Sequence, residues 1–112
     1  MLPDSPWRDV AGMLRSFDYA ARSVERDLPH DPESEHQLRY RSDEWVDRNT
    51  DAFLAGYAEQ RGAPWSEEEQ RLIAAYIADK AVYEVVYEAR NRPGWIDIPL
   101  AALERLRTEE EA

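Results

Sequence analysis

The chain has 112 residues, 43% of them hydrophobic, with 24 acidic against 14 basic residues and no cysteine. Those figures describe one small soluble domain and exclude a disulfide staple, a thiolate nucleophile and a cysteine zinc site. A net charge of −10, with thirteen of the fourteen basic residues scattered arginines, disfavours nucleic acid.

The sequence Asp4-Ser5-Pro6-Trp7 is a helix start, with Ser5 placed to cap free amides and Pro6 where a missing N–H costs nothing. Trp7, Val10, Leu14, Phe17, Ala21, Val24 and Leu28 then recur at alternating spacings of three and four. This predicts an amphipathic helix from about Pro6 to Asp27. Pro29 and Pro32 end it and open a short polar linker. His30 and His36 lie in that stretch and read as solvated loop residues rather than a metal pair.

A second helix follows from Leu38, Trp45, Val46, Asn49, Phe53, Leu54 and Tyr57, its start open over residues 33–41 and its end at a Gly62 C-cap. After Ala63-Pro64-Trp65, Ser66 and Glu69 have capping-box spacing, and Glu67 and Glu68 favour the helix N-terminus. The third helix should run from Glu67 to about Asn91, roughly 37 Å at 1.5 Å per residue. Pro93-Gly94 ends it, with Arg90 and Arg92 complementing its dipole. Pro99 opens a short fourth helix with Leu100, Leu103 and Leu106 on one seam, and the tail from Glu109 to Ala112 should fray.

No period-two run or internal repeat appears, so the fold class is all-α: three long helices and a short C-terminal one in a single domain spanning residues 1–112. No stretch reaches the roughly 20 apolar residues of a membrane span, nor is there a secretory signal pattern, so a cytoplasmic location is expected.

The third helix shows two faces at 100° per residue. Tyr76, Lys80, Tyr83, Tyr87 and Asn91 share one, flanked by Glu84 and Arg90; Ala74, Ala78, Ala81, Val82, Val85, Val86 and Ala89 share the other, which reads as the packing side. Tyrosines among charges suit a polar ligand with apolar patches, such as a sugar. The same spacing fits half-buried packing tyrosines with a Lys80–Glu84 surface pair, which periodicity alone favours. The four tryptophans read as core anchors, and Asp9, Arg15 and Asp18 as surface ion-pair partners. No phosphate loop, GxSxG elbow, HExxH or EF-hand frame exists. The chain therefore offers no catalytic set and no metal set.

The residues DSPWRDVAGMLRSFDYAA, from Asp4 to Ala21, resemble the maltokinases, which occur alone or fused behind trehalose synthase. So do DKAVYEVVYEARNRPGWIDIPLAALERLR, from Asp79 to Arg107, and Trp45 to Tyr57 is similar as well. The resemblance implies the C-lobe end of an aminoglycoside phosphotransferase and protein-kinase-like fold. It also implies an enzyme that uses ATP and magnesium to phosphorylate maltose at its anomeric hydroxyl, supplying maltose 1-phosphate for glycogen and α-glucan synthesis. In that family the nucleotide lobe and the His-Gly-Asp and Asp-Phe-Glu-Gly-Glu-Pro motifs precede the first matching block, and none of them is in this sequence. The chain thus matches about the last quarter of such an enzyme.

On this reading Lys80, Tyr83, Tyr87, Glu88, Arg90 and Asn91 contribute to the maltose pocket, although Glu88 falls about 80° from Lys80 and is placed to orient a neighbour. The chain alone should bind no ATP or magnesium and show no kinase activity, its partners being maltose and an N-terminal kinase part in cis or in trans. The other expectations are a stand-alone helical binding module without catalysis, or a decayed fragment.

Overall fold

The computed structural model describes residues 6–27 and 31–111. They form α1 (Pro6–Asp27), α2 (Pro32–Arg61), α3 (Glu67–Asn91), a 3-10 turn (Pro93–Trp95) and α4 (Asp97–Glu111). No strand occurs among the described residues, so the fold is all-α. None of the described helices is long and apolar enough to cross a membrane. The chain divides into two compact units, Met1–Arg15 with Ser66–Ala112, and Ser16–Trp65.

The helix boundaries follow local chemistry. α1 and α3 begin and end where their signals place them; the Ser5 cap lies outside the described residues. Pro32, which the sequence suggests as a helix terminator, instead starts α2 at a position where a proline N–H is not needed. Asp31 is the N-cap, its carboxylate accepting from the Ser34 amide at 2.9 Å. His36 consequently lies on a helix rather than in a loop, and His30 lies outside the described residues.

The Ser34 amide and hydroxyl hold the Asp31 carboxyl below its ordinary value of 3.8. A depressed folded value means that this cap contributes above the ordinary range and is lost as pH falls through the lowered one. Hydrogen exchange at the Ser34 amide should accelerate over that acidic window, relative to helix-centre amides.

At the other end of α2, Gly62 adopts φ 78°, the left-handed region a Cβ disfavours, and its N–H donates to the carbonyls of Ala58 and Glu59. The capping box at the start of α3 is complete: Ser66 Oγ accepts from the Glu69 amide at 3.1 Å, and Glu69 returns a bond to the Ser66 amide at 3.0 Å. Ser66→Ala should therefore destabilise the fold by about 1 kcal/mol, read as a lower urea midpoint at unchanged slope.

In the first unit α4 and the 3-10 turn pack on α3. The core is Val10 and Ala11 of α1, Ile73 and Ala81 of α3, and Ile98, Pro99 and Ala102 of α4. The alanines allow close helix approach. α4 starts two residues before Pro99 and is helical to Glu111, while Ala112 of the tail expected to fray lies outside the described residues. Its buried side is Ile98, Pro99 and Ala102, with Leu103 and Leu106 half-buried and Leu100 exposed, so the leucine seam is rotated from the expected one.

In the second unit no residue of α2 is fully buried. Phe17 of α1 sets its ring edge-on to Trp45 and Phe53, each at 6.1 Å. Trp65 stacks on Tyr57 at 5.3 Å, donates Nε1–H to the Leu54 carbonyl at 2.8 Å and lies under the Arg61 guanidinium at 4.4 Å. Arg61 also donates to the carbonyls of Ala63 and Pro64, so one arginine and one indole close the connection. None of the four tryptophans is fully buried, so the expected core anchors lie at the edge of the packing; Trp7, Trp65 and Trp95 are half-buried and Trp45 is 44% exposed.

Candidate functional site

α3 is rotated relative to both faces read from its sequence. Its buried side is Ile73, Ala81 and Glu88, with Ile77, Glu84 and Val85 half-buried. At 100° per residue this direction falls about 80° from Lys80, between the two expected faces. The expected packing side is corrected accordingly: Val82 is 53% exposed, Val86 is 46% exposed, and Ala89 is exposed as well. The opposite rim is exposed too, with Tyr83 at 68% and Tyr87 at 46%.

Lys80, Tyr83, Tyr87, Arg90 and Asn91 therefore share an open side of α3 over its last three turns. Asn91 is fixed there by its amide Nδ2, which donates to the Tyr87 carbonyl at 2.9 Å. Glu88 is not part of that surface. It is fully buried, and both carboxylate oxygens accept from Arg92, from Nε and Nη2 at 2.9 Å each. The Arg92 guanidinium lies 4.2 Å from the Trp95 ring centre and 6.0 Å from that of Tyr87. Glu88 thereby positions an arginine against the tyrosine of the open stripe.

Arg92 is the member sequence reasoning missed. It stands out locally only as the fourth residue after a glutamate, and that spacing is common on any helix surface.

Glu84 accepts from Arg15 of α1 at 2.7 Å rather than from Lys80. The side chains of this pair are 4% and 12% exposed, so Arg15 is a buried cross-helix partner and not a surface one. Charges this deep persist only where they meet opposite charges and hydrogen bonds.

In the second unit, Asp18 is buried and accepts from Arg22 at 3.0 Å, and Arg22 also reaches Glu25 at 3.2 Å and Asp43 at 2.6 Å. Burial lowers the Arg22 pKa, but the Asp43 hydrogen bond and the charges of Asp18 and Asp43 outweigh it and raise the value overall. This arginine is a permanent cation joining α1 to α2. Asp9 is exposed.

Away from α3, Pro32, Glu35, His36 and Arg39 border a shallow depression at the start of α2. Among the described residues no three His, Cys, Asp or Glu side chains gather as a metal site. What the open stripe of α3 offers is two aromatic rings one turn apart beside an ammonium, a guanidinium and a carboxamide. Such a set can stack on C–H surfaces and donate hydrogen bonds to hydroxyls. No family model matches the chain.

Proposed function

We propose that this chain is the acceptor-sugar side of an ATP-dependent maltose kinase, similar to the C-terminal helical part of the maltokinases and of the kinase-like C-lobe they contain. The observation that carries the reading is the exposure of Tyr83 and Tyr87 beside Lys80 and Asn91, within the YEVVYEARNRP run from Tyr83 to Pro93 on which the resemblance chiefly rests. Large aromatic rings left open beside hydrogen-bond donors are poor packing material and good sugar-contact material.

In this reading the Tyr83 and Tyr87 rings lie against the apolar C–H faces of maltose. Lys80, Arg90 and Asn91 donate to its hydroxyls. Glu88 acts through Arg92, whose guanidinium lies beside the Tyr87 ring. ATP, magnesium and the carboxylate that orients the acceptor hydroxyl belong to the N-terminal kinase part, in cis or in trans, because phosphoryl transfer rests on those groups. A cytoplasmic setting and a place in glycogen and α-glucan synthesis belong to the same proposal.

Lys80→Ala and Tyr83→Ala, made in the assembled kinase, test it. Losing the charge-assisted hydrogen bond from Lys80 to substrate, worth about 1.5–3 kcal/mol, should raise the KM for maltose roughly tenfold or more, and losing the Tyr83 ring should raise it too, both leaving the KM for ATP unchanged. Unaltered maltose dependence in both variants returns these residues to a structural role. The pure 112-residue chain should show no ATP-dependent phosphorylation of maltose, and measurable turnover would refute the division of labour.

A further inference from the structure

We propose that the chain, by itself, pairs with a second copy in antiparallel orientation through the face of α3 that carries Asp79, Val82, Tyr83, Val86, Tyr87 and Arg90. All six residues are exposed. This face points away from the side that packs: its mean direction is about 160–200° around the helix from Ala81 and Glu88. Asp79, Tyr83, Val86 and Arg90 follow one another at spacings of four, three and four, the seam by which two helices pack side by side.

The charges at the ends of that seam select the occupant. A two-fold axis passing between Glu84 and Val85 brings residues of equal offset together, so that Tyr83 meets the partner's Val86 and Val82 meets the partner's Tyr87. The same operation puts Asp79 against the partner's Arg90, twice, once at each end. The apolar centre and both charged ends are thus self-complementary in a single register. A parallel pair would instead set Asp79 against the partner's Asp79. Sliding the antiparallel pair by one turn places a carboxylate against an apolar side chain, which desolvates it without compensation.

Three helical turns make a small contact, in the class of weak encounters, so the dissociation constant should be roughly micromolar. The net charge of −10 opposes association at low salt. At physiological ionic strength the screening length is about 8 Å, which damps that repulsion while leaving direct contacts in force. Tyr83, Tyr87 and Arg90 also belong to the sugar stripe, so a second copy and a sugar exclude each other there. The pairing does not rest on the sugar reading, which is judged by the maltose KM of the assembled kinase.

Sedimentation equilibrium of the 112-residue chain at about 0.15 M salt tests the pairing. The expected result is a mass rising with concentration from 13.1 kDa towards twice that value. Asp79→Arg alone and Arg90→Asp alone each turn two attractive contacts repulsive and should weaken association at least about tenfold. The two together exchange the charges and should restore it to within about threefold of the original. Both positions are exposed, so helical content by circular dichroism should stay unchanged in all three variants. A chain that stays at 13.1 kDa across the range overturns the proposal and leaves the face to a different chain. Association indifferent to the single reversals, or unrestored by the double one, overturns it equally.

Discussion

Glu84→Ala is expected to destabilise the fold by about 3–5 kcal/mol, a large share of the 5–15 kcal/mol available to a small domain. The reason is not the strength of the bond itself. Arg15 is held with its side chain only 4% exposed, and its guanidinium reaches the Glu84 carboxylate at 2.7 Å. Removing that carboxylate takes a close counter-charge from a cation held at a depth where water compensates poorly. Arg15→Met with Glu84→Leu removes both ions and fills similar volume with apolar atoms, and it should return stability to within about 1 kcal/mol of the parent or exceed it. Urea midpoints of the four proteins in this cycle measure the coupling. Additive single effects would show that the pair does not act as a unit.

The second large effect is an asymmetry at Glu88 and Arg92. The Glu88 side chain is 1% exposed, whereas that of Arg92 is 45% exposed. Arg92→Ala strips a buried carboxylate of its bidentate partner and should cost about 3 kcal/mol. Glu88→Met is close in volume and discharges the buried site, while Arg92 keeps its place over Trp95 and turns its donors to solvent. That variant should cost less than about 1.5 kcal/mol. Equal losses in the two variants would assign the stability to the bond rather than to desolvation of the carboxylate.

The two pairs share a cause. Glu84 and Glu88 lie one turn apart on the packing side of α3, and each takes a guanidinium, from α1 in one case and from the residue after the helix in the other. The bracing of Tyr87 by Arg92 connects this buried row to the open stripe. A change that disturbs Glu88 should therefore reach any ligand on Tyr87 through Arg92, even though Glu88 itself is out of contact with solvent.

The all-α class, the extents of α1 and α3, the Gly62 cap and the Ser66–Glu69 box were readable from the sequence. Each depends on groups no more than four residues apart, and backbone hydrogen bonding within a turn acts before any tertiary contact forms. The side of α3 that packs was not readable. Its buried direction carries two glutamates, while Val82, Val86, Tyr83 and Tyr87 stand open, so any ordering by hydrophobicity turns the helix by about a quarter of its circumference. Only the fold brings Arg15 to Glu84 across 69 residues of sequence, and that meeting helps a carboxylate to stand on the packing side of α3. Desolvation decides which charge can be buried, and the partner that compensates it is supplied by tertiary structure alone.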